Sequence, residues 1–151
     1  MTAIRRSGAT VLLITTAIIG VAPVAVAKSP SRGAYRKQVD AICKTTDGEI
    51  TKAIRKLYPS KGPQNAAEQA VAVVKILIPA RDKQWKAIFA LPVPKADRDN
   101  IAFIKDLAAQ ELSALRRDPS TALRSDPFLN TDLAWSDYGL KVCPAPIITE
   151  R

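Results

Sequence analysis

The chain has 151 residues, with 23 Lys and Arg against 14 Asp and Glu, two cysteines and no histidine. Without histidine, Ser-His and Cys-His catalytic pairs and the common zinc-ligand sets are excluded. A net charge of +9 invites an anionic partner such as nucleic acid, lipid or wall polymer, but the bases are spread along the chain and mixed with acids, the pattern of a solvated surface.

Residues 1–27 are expected to be a cleavable secretory signal peptide. Arg5 and Arg6 give a positive start, Val11 to Val21 an apolar segment, and Ala25-Val26-Ala27 the small-x-small pattern that a signal peptidase admits. The cut is expected between Ala27 and Lys28. The apolar stretch approaches the ~20 residues that a membrane span needs, but Pro23 interrupts it and the Ala-x-Ala site favours cleavage. Ser7, Gly8 and Ala9 follow the paired arginines where a twin-arginine signal wants an apolar pair, so general secretion is the expected route. The first cysteine is Cys43, well past the cut, so lipid anchoring there is not expected. Removal of Arg5 and Arg6 would lower the net charge to +7 from +9.

Residues 28–33 read as a flexible N-terminus, 34–143 as one helical domain and 144–151 as an extended tail. The domain is long enough for a real core. Apolar residues recur at helical spacing along it, and strand patterns are almost absent. A first helix is expected from about Ser31 to Leu57, with Tyr35, Val39, Ile42, Thr46, Ile50, Ala53, Ile54 and Leu57 on one face. Tyr58-Pro59 ends it, because a residue before proline avoids the helical region. Asn65 reads as the next N-cap, and Glu68 completes a capping box. The second helix would present Ala67, Ala70, Val71, Val74, Leu77 and Ile78. Pro79 lies inside its pattern, so it either kinks there or stops and restarts. Trp85, Ile88, Phe89 and Leu91 continue the apolar face.

Leu91-Pro92-Val93-Pro94 is a stiff linker. A third helix starts near Asp97, with a stripe of Ile101, Ile104, Leu107, Ala108, Leu112 and Leu115, and Asp118-Pro119 closes it. Asp126-Pro127 would open a short last helix, facing inward through Leu129, Leu133 and Ser136 or Asp137. Gly139 is a natural left-handed stop, with Leu140 packing back against it. The expected fold is therefore all-α: an antiparallel bundle of three long helices plus a short fourth. Cys43 and Cys143, an even pair in an exported chain, are expected to form one disulfide.

Two segments carry a resemblance. Ala41-Ile42-Cys43 early in the first helix and the closing Tyr138-Gly139-Leu140-Lys141-Val142-Cys143 resemble a group of small secreted or lipid-anchored helical proteins of actinobacteria. The likeness spans Tyr35 to Cys143. It implies an all-helical extracytoplasmic domain with the two cysteines joined, and it implies no activity. This chain departs from the lipid-anchored members in having no cysteine at the cleavage site.

Little in the chain points to chemistry. Asp97-Arg98-Asp99 begins like a calcium loop, but Ala102 and Ala108 stand where that loop demands glycine and glutamate. Asp97 and Asp99 then read as helix caps. No cofactor or metal is expected. The densest basic stretch, Lys75, Arg81, Lys83 and Lys86, together with Trp85 and Trp135, forms a candidate partner surface. The competing role for the two tryptophans is to close the core. Tyr138 is expected to pack around the disulfide. The expected function is non-enzymatic binding of a protein or cell-surface partner outside the cytoplasm. The alternatives are a basic binder of anionic envelope polymer or lipid, and an extracellular enzyme, which would need a pocket of convergent carboxylates. A nucleic-acid partner is not expected.

Overall fold

The computed structural model describes residues 29–143. The expected signal peptide, its cleavage residues Ala25, Ala27 and Lys28, and the tail 144–151 lie outside the described residues. Every regular element among those described is helical, and none is a strand. The first, α1 (Arg32–Leu57), is opened by Ser31, whose hydroxyl accepts from the Ala34 N–H at 3.2 Å. Tyr35, Val39, Cys43, Thr46 and Ile50 are buried along its expected face. That packed face ends at Ile54, and Leu57 is exposed.

Within the segment read as a flexible start, Ser29 reaches across to the linker at 91–94. The Ser29 hydroxyl donates to the Val93 carbonyl at 3.3 Å and accepts from the Lys95 N–H at 3.2 Å. It thereby satisfies backbone groups of the proline-stiffened linker, which has no helix ladder of its own.

Two further helices, α2 (Ala66–Ala72) and α3 (Ile78–Phe89), are joined by a π turn over Val73–Leu77. Asn65 caps α2 by accepting from the Glu68 N–H at 2.9 Å. The Glu68 carboxylate reaches one residue further back than a capping box requires, to the Gln64 N–H at 2.7 Å. Pro79 neither stops nor breaks the rod. It lacks an N–H and its ring would press on the preceding turn of a regular α-helix. The π turn just before it widens the helix, with the Ile78 N–H bonding to the Val73 carbonyl, and such a turn holds one extra residue. The extra residue also rotates the face. Val73 and Leu77 are buried, whereas Val71 and Val74, expected inside, are exposed.

After a short 3-10 turn (Lys95–Asp97), α4 (Arg98–Arg117) buries Ile101, Ile104, Ala108, Leu112 and Leu115 of its expected stripe, and Leu107 is half-buried. Asp118 stops it and accepts from the Ser120 N–H at 3.0 Å, starting a second 3-10 turn over Pro119–Leu123. The last helix, α5 (Leu129–Tyr138), starts two residues beyond Pro127. Its expected face is the outer one: Leu129 is 52% and Leu133 55% exposed. Phe128, Thr131, Trp135 and Tyr138 point inward instead. Three aromatic rings on one face bury more apolar area than two leucines, and so they set the rotation of this short helix.

Helix α1 packs on α3, α3 on α4, and α4 on α5. The named contacts run in opposite order along neighbours. Ser29 meets Val93, Asp47 meets Arg81, and Tyr58 bonds to the Glu68 carbonyl. Asp82 meets Arg116, Glu111 bonds to Asn130, and Asp97 bonds to Tyr138. Cys43 and Cys143, 100 positions apart, come together at disulfide distance with their Cα atoms 5.1 Å apart. In the core, Trp85 meets Phe128 edge-on at 5.0 Å, and Phe89 stacks on Trp135 at 6.2 Å.

The end of α5 is a full Schellman stop. Gly139 adopts φ 92°, its N–H bonds to Ser136, and the Leu140 N–H bonds to the Trp135 carbonyl at 3.0 Å. Arg36 from α1 donates to the Gly139 carbonyl, and a Cβ on Gly139 would run into that guanidinium. Gly139→Ala therefore combines a left-handed penalty of about 1–2 kcal/mol with displacement of Arg36. A lowered melting temperature is expected, and an unchanged one would show that neither constraint holds.

Candidate functional site

The residues singled out in sequence as a partner surface do not lie together on the surface. Trp85, Trp135 and Arg81 are inside, at 7%, 1% and 3% exposure, whereas Lys75, Lys83 and Lys86 face outward. Two of those three lysines are paired. Lys83 meets Glu49 at 3.0 Å, and Lys86 meets Asp82 at 2.7 Å. Asp82 also holds Arg116 at 3.0 Å, and these two cations keep its carboxyl below the ordinary range. The basic stretch is thus interleaved with carboxylates in space as well as in sequence.

Arg81 occupies a charged interior beside the disulfide. Its guanidinium donates to the Gln84 side chain, lies 3.4 Å from Asp47 Oδ1 (too splayed for a hydrogen bond), and sits 5.9 Å from the centre of the Phe128 ring. Burial pulls its proton affinity down, and the nearby carboxylates Asp47, Asp132 and Asp126 oppose that. Burial likewise lifts the Asp47 carboxyl, with Arg81 acting in the other direction. A void of about 10 Å³, close to the size of one water molecule, is bounded by the disulfide, Arg81, Gln84, Trp135 and Asp132. Trp135 Nε1 and Thr131 Oγ1 are buried without a hydrogen-bond partner among the described residues.

Asp132 titrates far from its ordinary range. Burial first, then the repulsion of Asp126, push it up to about 7, against the pull of Arg81; Glu111 and Asp47 add to the rise. A carboxyl raised in the fold binds its proton more tightly there than in the unfolded chain. Its burial therefore costs stability above about pH 7 and less as pH falls toward the ordinary carboxylate range. Asp132→Asn is expected to raise the melting temperature at about pH 8 and to change it little at about pH 4. Equal effects at both would place the titration elsewhere.

A second polar cluster joins three distant segments. Asp97 is 2% exposed. It is paired with Arg32 and accepts from the Tyr138 hydroxyl at 2.9 Å. The Arg32 hydrogen bond, with help from Tyr138, holds its carboxyl below the ordinary range despite burial. The Tyr138 phenol is pushed up by burial and by donating to Asp97. Arg32 also stacks over the Tyr138 ring at 5.5 Å, and Tyr35 meets that ring edge-on at 6.2 Å. Asp97 does not cap α4 with its side chain, as sequence suggested it would. Arg81 had a sequence signal: it sits four residues from both Leu77 and Trp85 on the buried stripe. The Arg32–Asp97–Tyr138 cluster had none, because its members come from three separate segments.

The surface carries concavities on both sides of α3. The larger, between α3 and α4, encloses about 430 Å³ over a floor of Trp85, Phe89, Ala108, Ala109 and Leu112, and is rimmed by Asp82, Lys86, Lys105 and Arg116. A smaller one of about 310 Å³ lies between α1 and α3, beside Ile42, Thr46, Gln84 and the Lys83–Glu49 pair. Among the described residues no helix is long and apolar enough to cross a membrane, and no three His, Cys, Asp or Glu side chains gather to hold a metal ion. No family model, no curated protein and no solved structure matches this chain.

Proposed function

We propose that this chain is a secreted, non-enzymatic binding domain: an antiparallel helical bundle, locked by Cys43–Cys143, that engages a protein partner outside the cytoplasm. Signal-peptide removal at Ala27 and general secretion belong to the same reading. So does kinship with the small actinobacterial helical proteins carrying the early-helix cysteine and the closing Tyr-Gly-Leu-x-x-Cys.

The observation that carries the choice of partner is the α3/α4 groove, whose apolar floor lies under a rim of mixed sign. A polyanion or an anionic bilayer is best met by a clustered cationic face. Here Lys83 and Lys86 of the densest basic stretch are paired with Glu49 and Asp82, and apolar surface lies open beside them. That combination suits a protein interface, with its apolar centre and polar rim.

The test is recovery of binding partners from the producing cell's envelope by the mature protein, at low and high salt, read by mass spectrometry. A protein partner retained at high salt is the expected result. Recovery of polymer or lipid alone, lost at high salt, would replace this reading with electrostatic binding to the envelope.

A further inference from the structure

We propose that the α3/α4 groove seats an amphipathic helix of the partner, apolar along one ridge and acidic beside it, with Lys105 as the main contact for its carboxylates. This rests on the protein-binding reading above. The floor is apolar: Phe89 from α3 and Ala109 from α4 keep exposed area, over the buried Trp85, Ala108 and Leu112. Ala109, exposed on α4, carries only a methyl group, so the channel keeps its depth there. A groove between two packed helices is where one more helix seats, by the ridge-into-groove packing that joins the bundle itself.

The dimensions fit such a ridge. From Asp82 to Phe89 the α3 wall runs about 10 Å, the length covered by side chains at i, i+4 and i+7 of a docked helix. The rim supplies the sign. Three cations, Lys86, Lys105 and Arg116, face a single carboxylate, Asp82. Lys86 and Arg116 both turn onto Asp82 at one end. Lys105, about 16 Å away along α4 and toward Phe89, has no ion pair among the described residues. An acidic side chain flanking the apolar ridge would meet Lys105 without displacing an existing partner. A basic one would meet repulsion at that end of the groove.

The test selects binders to the mature protein from a library of helical peptides with leucine fixed at i, i+4 and i+7 and the flanking positions randomised. Enrichment of Asp and Glu at the flanks is expected. Lys105→Glu should invert that preference toward Lys and Arg and weaken the selected acidic peptides about tenfold. Ala109→Trp, at an exposed position on α4, should fill the channel and weaken them by at least as much while the circular dichroism spectrum and melting temperature hold. Flanks indifferent to the charge at 105, or peptides bound equally by the Ala109→Trp protein, would overturn the proposal. So would saturation of the groove by dodecanoate with no peptide enriched. A salt-resistant envelope partner that Ala109→Trp retains as well as the parent does would overturn the groove alone and leave the broader reading standing. Absence of any such protein partner would overturn the broader reading itself.

Discussion

Replacing Cys43 and Cys143 together by alanine is expected to lower the stability of the fold by roughly 4–5 kcal/mol. The link closes a loop between positions 100 apart, and in the chain-entropy model the loss grows with the length of the loop released. Both cysteines are buried, so the substitution also leaves a small cavity, which adds to the loss. Part of the connection survives without the bond. Asp40 accepts from the Lys141 and Val142 N–H groups at 3.2 and 3.0 Å, and Arg36 holds the Gly139 carbonyl. The segment after α5 should therefore stay docked in the native state, and the loss should appear mainly as a shifted unfolding midpoint. Urea unfolding of the two proteins measures it. A loss below about 1 kcal/mol would mean that the unfolded chain is already compact around this pair.

Arg81→Met is expected to destabilise the interior by about 3 kcal/mol, because it leaves the half-buried carboxylates Asp47 and Asp132 without their counter-charge. Arg81 holds Gln84, faces Asp47 and opposes the upward push on Asp132. The loss should depend on pH. Near pH 5, below the value of about 7 at which Asp132 titrates, that carboxyl is protonated and needs no cation. Near pH 8 it is ionised and does. The substitution should thus cost more near pH 8 than near pH 5. Unfolding measured at both values decides. A small loss, equal at the two, would show that Arg81 is held by packing against Phe128 and not by charge. Arg81→Met combined with Asp132→Asn should recover part of the loss near pH 8, as expected of groups sharing one field.

Binding experiments follow from the same geometry. Ala109→Trp and Lys105→Glu act on exposed positions of α4. They separate recognition at the groove from the stability of the core, which the first two substitutions address.

How far the chain could be read from its residues varies by element. The stripe of α4 is buried at five of its six expected positions, Leu107 being half-buried, because a long helix with apolar residues at regular spacing has one way to face a core. The stop at Gly139 was equally plain, since a glycine after the last helical turn takes the left-handed conformation at no steric cost. The face of α5 was misread because Leu129 and Leu133 match helical spacing as well as Phe128, Thr131 and Trp135 do. Ring area decided between them, and only against a neighbour. The face of α2 was misread because a π turn ahead of Pro79 inserts a residue that no periodic count anticipates.

The candidate site divides in the same way. Local sequence determined the long helices α1 and α4, the Asn65 cap, the stops at Tyr58, Asp118 and Gly139, and the two cysteines as an even pair. These depend on interactions within a few residues of each other. Tertiary structure alone decided that Trp85 and Trp135 are core, that Arg81 lies inside with Asp47 and Asp132, that Asp97 pairs with Arg32 and Tyr138, and that Lys105 overlooks an apolar groove. Each of those depends on which helix lies alongside, at separations in the chain where spacing carries no information.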